Sequence, residues 1–179
     1  MPERCRYWIV VGLALCTVLP PAAHGESSRA QKRELDRAES QLHEWLMDLP
    51  PDSGVAILRD GDHVTLRFST SWVFEPDSTA LKADARSALP LSAALRLLKR
   101  RRVLSAQIAV YTDNLGGESA NQSFSAARAK ALYGSFTAQG IAAPRLQQRG
   151  AGSNDALSSN GTPEGRIENR RVEISFARR

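Results

Sequence analysis

Cysteine and histidine are scarce in this chain of 179 residues. The only two cysteines, Cys5 and Cys16, lie within the first sixteen residues, so removal of an N-terminal segment would leave no thiol. A disulfide or a CxxC site in the remaining chain is therefore excluded. The histidines His24, His43 and His63 are far apart, and neither His43 nor His63 has a cysteine or a second histidine nearby, which argues against a zinc site.

Recognisable catalytic motifs are also missing from the sequence. It contains no GxSxG, SxxK, HExxH or phosphate-loop pattern, and we predict neither an enzymatic activity nor a cofactor. The net charge of +5 permits an anionic partner such as a cell-wall polymer. Aromatic residues do not interleave with the basic run at residues 99–102, so nucleic acid is not the expected partner.

Long hydrophobic runs are absent except near the N-terminus. Residues 1–25 combine Arg4 and Arg6, an apolar stretch over residues 8–18 and a small-x-small end, which predicts a signal peptide cleaved after Gly25. The apolar stretch is shorter than the roughly 20 residues of a spanning helix. A lipid anchor at Cys16 and an uncleaved anchor are the alternatives, although a bulky leucine precedes that cysteine. We expect an exported protein, in the periplasm or associated with the outer membrane.

Two segments with different patterns follow the predicted signal peptide. Residues 26–54 comprise a helical segment, with apolar residues near helical spacing over 28–47, and a linker that contains Pro50-Pro51. Residues 55–179 form the predicted domain, which we expect to fold without residues 26–50. Two interpretations of the helix stay open: a spacer or docking element that recruits an envelope protein, or a helix packed on the domain.

The pattern within residues 55–179 alternates between strands and helices. A hairpin is indicated where Asp60-Gly61 separates two apolar runs, and Gly140 is placed to end a helix. The predicted elements are strands at 55–58, 64–68, 106–111, 145–150 and 171–176, a helical run at 79–99 interrupted at Pro90, a helix at 121–139, and a long loop at 150–168. This order predicts an α+β fold with one sheet and helices on one side.

Two features of this region could carry chemistry. Arg128 projects from the middle of the apolar arc of the helix at 121–139, where an unpaired charge must reach an edge or meet an anion. Asp113 follows directly on a strand, where a carboxylate can hold a cationic group. Ordinary roles exist for both, because arginines snorkel and aspartates form turns, and Asn121 could simply cap the helix.

Together these residues form a recognisable pattern. The letters TDN at 112–114, Asn121, FS at 124–125 and RA at 128–129 are followed by TPEGR at 162–166 and NRRVEI at 169–174. Residues 74–176 thus resemble the OmpA-like C-terminal domain family, which includes peptidoglycan-associated lipoproteins and flagellar stator domains. The resemblance implies a two-layer β-α-β-α-β sandwich that binds the diaminopimelate residue of the peptidoglycan stem peptide without cleaving it.

The resemblance also implies roles for individual residues. Asp113 matches the family's aspartate that holds the ligand's ammonium group, and Arg128 matches the arginine that receives its carboxylate. We expect these two side chains to pair when the site is empty. The other positions expected to line the pocket are Asp77, Thr112, Asn121, Asn169 and Arg170. The predicted function is attachment to the cell wall, and the alternative is a periplasmic adaptor that recruits a partner through residues 26–50, with weak or no peptidoglycan binding.

Overall fold

The structure is a computed structural model that describes residues 22–179, with side chains from residue 28 onward. Cys16 and nearly all of the predicted signal peptide lie outside the described residues, so cleavage and lipidation stay predictions. Within the described part of the chain, no helix is both long and apolar enough to cross a membrane.

Helices and strands alternate along most of the chain, as predicted. The helices are α1 (Ala22–Leu46), α2 (Leu89–Arg100), α3 (Glu118–Ala138) and α4 (Pro163–Asn169). The strands are β1 (Ala56–Asp60), β2 (His63–Ser69), β3 (Leu104–Tyr111), β4 (Leu146–Gly152) and β5 (Arg171–Arg178). Short 3-10 turns lie at Thr70–Trp72, Ala85–Ser87 and Ala143–Arg145.

The five strands form one mixed sheet in the order β1-β2-β5-β3-β4, so the last strand of the chain lies at its centre. β1 and β2 form the predicted hairpin, in which Asp60 pairs with His63 across a two-residue loop at Gly61. β5 runs antiparallel to both of its neighbours, whereas β3 and β4 are parallel. A parallel pair requires a crossover connection, which α3 supplies.

One face of the sheet and three helices share a single hydrophobic core. Alternate residues of the central strand β5, Val172, Ile174 and Phe176, are fully buried, as their spacing predicts. Apolar residues of α1, α2 and α3 belong to the same buried cluster. The α+β two-layer sandwich with helices on one side is therefore confirmed.

The opposite face of the sheet carries a polar network. Glu173 accepts hydrogen bonds of 2.9 Å from both Arg67 and Arg171, which connects β2 to β5. The Arg171 guanidinium lies 3.5 Å from the centre of the Tyr111 ring. Burial acts to raise the pKa of Glu173, but the hydrogen bonds and charges of the two arginines outweigh it and hold that pKa below its ordinary value.

Helix α1 packs on the domain, as one of the two interpretations predicts. Leu35, Ala38 and Leu42 are fully buried in the common core. Trp45 lies beneath two arginines of α2, with the nearer guanidinium, that of Arg96, 4.4 Å from the ring centre. Residues 26–50 therefore contribute to the core, and independent folding of residues 55–179 stays a prediction.

The helical run predicted at residues 79–99 is wrong in its first half. Phe74 pairs with Leu81 in an isolated β-bridge, and the helix α2 begins only at Leu89. Pro90 then lies in the first turn of α2, where its missing N–H removes no helical hydrogen bond. The proline marks the start of the helix and not an interruption.

The long loop predicted at residues 150–168 contains the short helix α4. The Thr162 hydroxyl accepts a hydrogen bond of 3.1 Å from the Gly165 N–H and thereby caps the helix, with Pro163 in its first turn. Threonine followed by proline is a helix-start signal. The abundance of glycine, serine and asparagine around it obscured that signal.

Candidate functional site

A cleft of about 670 Å³ opens where β3 ends and the first half of α3 faces the segment after β2. Six of the seven predicted site residues line it: Asp77, Thr112, Asp113, Asn121, Arg128 and Arg170. They come from four separate stretches of the chain, which the fold brings to one end of the sheet.

Asp113 is 7 % exposed and its carboxylate is held from two sides. One oxygen accepts the Leu115 N–H at 3.1 Å, and the other accepts an Arg170 N–H at 2.5 Å. Asn121 lies inside α3 and does not cap it, because the helix begins at Glu118. Its amide instead donates to the Asp113 carbonyl at 3.0 Å and so fixes the turn that carries the carboxylate.

Arg128 is 5 % exposed and lies between two aromatic rings. Its guanidinium carbon is 4.3 Å from the Phe124 ring centre and 4.8 Å from that of Phe74. Its Nε donates to the Ser78 carbonyl at 2.7 Å. Burial lowers the pKa of Arg128, and the charge of Asp77 acts in the opposite direction.

The expected ion pair between Arg128 and Asp113 is absent. Asp113 pairs with Arg170, and within residues 28–179 no carboxylate lies within 4.0 Å of the Arg128 guanidinium. Apart from the Nε bond to Ser78, the Arg128 guanidinium has no hydrogen bond to the described part of the chain. The cleft thus contains a buried cation that has no carboxylate in salt-bridge contact, although Asp77 lies in the same cleft, and such a cation favours an anionic partner.

Thr112 adds a second incomplete group to the cleft. Its backbone N–H donates to the Gly152 carbonyl at 2.8 Å, but its buried hydroxyl has no hydrogen-bond partner within the described residues. Buried hydroxyl groups are nearly always paired in folded proteins, and leaving one unpaired costs about 1–3 kcal/mol. A polar ligand in the cleft could supply the missing partner.

Asn169 does not line the cleft, contrary to the prediction. Its side chain is fully buried and bonds Leu157, Ser158 and Asn160, with distances of 2.8–3.1 Å. Asn160 in turn accepts the Asn114 N–H at 3.3 Å, beside Asp113. Asn169 therefore orders the loop next to the site.

Several cleft residues come from the segment between β2 and α2, from which only Asp77 was predicted as a site residue. Phe74 covers Arg128, Glu75 adds an acidic group, and Lys82 donates to the Ser71 carbonyl at 2.7 Å. The aromatic and charged residues of FEPDS were the available signal, but nothing local showed that they face α3. The cleft consequently carries carboxylates and cations in similar number.

The described region contains no obvious set of metal-binding side chains. Across residues 28–179, no three His, Cys, Asp or Glu side chains are grouped so that they could hold a metal ion. The arrangement is suited to holding a ligand that bears both an ammonium and a carboxylate group.

The sequence profile of the OmpA family matches residues 73–170, more than half of the chain. The chain belongs to the OmpA family. The matched range includes all six predicted site residues that line the cleft, whereas three further lining residues, Ser69, Thr70 and Ser71, precede it.

Among curated proteins, this OmpA-family chain is similar to the "Probable lipoprotein YiaD" of Escherichia coli K12. It is 32% identical over 132 residues, which are 74% of this chain and 59% of the relative. The peptidoglycan-binding protein ArfA of Mycobacterium tuberculosis is 48% identical over 64 residues, 36% of this chain and 20% of ArfA. The chain thus spans less than two thirds of either relative.

A solved structure supports the fold of this OmpA-family chain. A MotB-like protein from Desulfovibrio vulgaris superposes with a TM-score of 0.73 at 25% identity, covering 88% of this chain and 99% of that one. The superposition therefore extends beyond the residues matched by the family profile.

Proposed function

We propose that this chain binds the peptide stem of peptidoglycan through its diaminopimelate residue and so attaches itself to the cell wall without catalysing a reaction. The observation that carries the proposal is the buried Arg128, which forms no salt bridge with the described residues, in a cleft that also holds the buried carboxylate of Asp113. The relative ArfA, named as a peptidoglycan-binding protein, adds support.

The ligand chemistry fits the groups of the cleft. The free end of a diaminopimelate side chain carries an ammonium and a carboxylate on one carbon. In the proposed complex the carboxylate accepts hydrogen bonds from Arg128, and the ammonium donates to the Asp113 carboxylate. Because Phe74 and Phe124 flank the guanidinium, little water would compete for it.

Arg170 has a defined place in this proposal. In the structure it bonds one Asp113 oxygen, and its own side chain is 41% exposed. An ionised carboxylate offers about four acceptor sites, so the ligand's ammonium can join Arg170 or displace it toward solvent. Until a ligand binds, Arg170 holds the Asp113 carboxylate in its orientation.

The proposed location follows from the N-terminal sequence. An exported chain, free in the periplasm or anchored at the outer membrane, reaches peptidoglycan, whereas a cytoplasmic one does not. Mass spectrometry of the protein from its native envelope distinguishes an N-terminus at Glu26 from a lipidated Cys16.

The test of the proposed function uses two soluble peptides that differ in one group. One contains diaminopimelate, and the other contains lysine at that position and therefore lacks the side-chain carboxylate. The parent chain should prefer the first peptide, and Arg128→Gln should remove that preference. Asp113→Asn should weaken the binding of both peptides, because it removes the charged contact with their ammonium group.

The expected size of each effect is about ten- to a hundredfold in Kd, since a hydrogen bond to a charged group contributes about 1.5–3 kcal/mol. Calorimetry measures the affinities, and circular dichroism verifies that each variant is folded. Lys130→Gln, an exposed change on the same helix as Arg128, serves as the control. Equal binding of both peptides to the parent would refute the assignment of Arg128.

A second candidate function, the periplasmic adaptor, rests on the far end of α1. Met47 is 74% exposed there, beside a shallow groove lined in part by Leu49 and Ile57. If the parent chain binds neither peptide, recruitment of an envelope protein through residues 26–50 becomes the preferred function. Cross-linking from position 47 in intact cells would then identify the partner.

A further inference from the structure

A second depression of about 360 Å³ adjoins the cleft. Ser71 and Lys82 line both, so the two are continuous across these residues. Trp72, Asp84 and Ser87 line only the second depression, which we call the side cleft. None of these three residues has a role in the proposed binding of diaminopimelate.

Trp72 provides a fixed aromatic surface in the side cleft. Its indole N–H donates to the Ser53 carbonyl at 3.3 Å, and part of the ring packs against the hydrophobic core. The turn that carries it begins at Thr70, whose N–H donates to the Arg170 carbonyl at 3.0 Å. The ring is thereby positioned relative to the main cleft.

Polar groups surround this surface. Within the described residues, neither the Asp84 carboxylate nor the Ser87 hydroxyl forms a hydrogen bond, and both side chains are exposed. The Lys82 ammonium lies at the boundary between the clefts, where it donates to the Ser71 carbonyl at 2.7 Å. An aromatic face bordered by a carboxylate, a hydroxyl and an ammonium group matches a sugar ring, which presents C–H groups on its faces and hydroxyls at its edge.

The covalent structure of peptidoglycan places a sugar near this position. Only a short run of amino acids connects diaminopimelate to the N-acetylated sugar that bears the stem. Each residue extends a chain by at most about 3.3–3.6 Å, so two linking residues together with diaminopimelate itself span on the order of 10 Å. The side cleft, which begins at the edge of the main cleft, is within that reach.

We propose that the side cleft binds the N-acetylated amino sugar to which the stem peptide is attached. This inference rests on the proposed function and extends it from the peptide to the glycan. Trp72 stacks on a face of the sugar ring, and Asp84 and Ser87 bond its hydroxyl or acetamido groups. The chain would then favour a stem that is still attached to its sugar over a free peptide.

The experiment compares two ligands on the full chain by calorimetry: a diaminopimelate stem peptide alone, and the same peptide attached to its N-acetylated disaccharide. The parent should bind the sugar-bearing ligand about tenfold more tightly, equivalent to about 1.4 kcal/mol. Trp72→Ala should abolish this advantage and leave the affinity for the free peptide within about twofold. Asp84→Ala, an exposed change without a packing cost, should reduce the advantage even if Trp72→Ala fails to fold.

The control variant is Arg86→Gln, an exposed change on the same stretch of chain that lies outside the side cleft and should keep the full advantage. Equal affinities of the parent for both ligands would overturn the sugar assignment and leave the proposed function intact. The sugar assignment also fails if lengthening the free peptide by further amino acids, without any sugar, raises the affinity and Trp72→Ala removes that increase. Absence of binding by either ligand would overturn the proposed function and this inference together.

Discussion

Gly150 permits the close approach of β4 to α3, and its replacement by alanine should damage both the fold and the site. A Cβ at this position would lie 2.2 Å from the backbone nitrogen of Ala126 and 2.5 Å from its Cα. Ordinary contacts begin near 3.4 Å, so the helix backbone would have to move by more than an ångström. Gly150 does not have a left-handed φ, and the penalty is therefore steric and not conformational.

The magnitude follows from what such a movement disrupts. Overpacking a well-filled interior costs about 1–3 kcal/mol, and a clash between two backbones belongs at the upper end of that range. The shift would also strain the Gln122 bond to the Gly150 carbonyl, 2.8 Å, and the Ser125 bond to Gly152, 2.9 Å, each contributing about 1 kcal/mol. We expect a loss of about 3–5 kcal/mol.

Urea unfolding followed by circular dichroism measures this loss, and peptide calorimetry should show weaker binding because α3 carries Arg128. The matched control is Gly134→Ala on the exposed side of α3, where an added Cβ has no atom within 4 Å. That variant should gain about 0.5–1 kcal/mol, as alanine exceeds glycine in helix interiors. If Gly150→Ala is as stable as the parent, α3 and β4 do not approach each other as closely as described.

Three further predictions concern α1 and the polar face of the sheet. Leu42→Ala should lower the free energy of unfolding in urea by about 2–5 kcal/mol, because the side chain is fully buried, whereas the exposed Met47→Ala should cost almost nothing. A chain without residues 26–50 should still unfold cooperatively, but at a lower urea concentration. Loss of its cooperative transition would show that α1 is essential for folding. The pKa of Glu173 is lowered in the fold, so its contribution is present at neutral pH and lost as pH falls from about 4.3, the unfolded pKa, through the folded value. Glu173→Gln should accordingly lower Tm at pH 7 and flatten its fall below about pH 5, and parallel profiles of parent and variant would contradict this.

Local patterns of the sequence were sufficient for much of the fold. The hairpin at Asp60-Gly61 and the alternation of β5 depend on neighbouring residues, and both are present. Gly140, with φ at +85°, follows the end of α3 as its position predicted. Signals of this kind are short-range, because turn geometry and strand alternation are set within a few residues.

Where local signals conflicted, the predicted elements were wrong. Pro90 predicted an interruption although it lies in the first turn of α2, and the cap at Thr162 was overlooked in a stretch rich in glycine and serine. The docking of α1 was equally open, because an amphipathic helix does not specify which surface it covers. The docking position of α1 is determined by the apolar surface that the other helices and strands leave uncovered.

Six of the seven residues expected from the motif line the cleft, but the motif did not give the pairing between them. Asp113 bonds Arg170, fifty-seven positions away, and leaves Arg128 between Phe74 and Phe124 without a carboxylate. Such pairings depend on how distant segments are placed by the sheet order and by the packing of α3. The sequence by itself determined which charged groups are present, and the tertiary structure decided which of them is left free for a ligand, because a charge is neutralised by whichever opposite charge the fold brings closest.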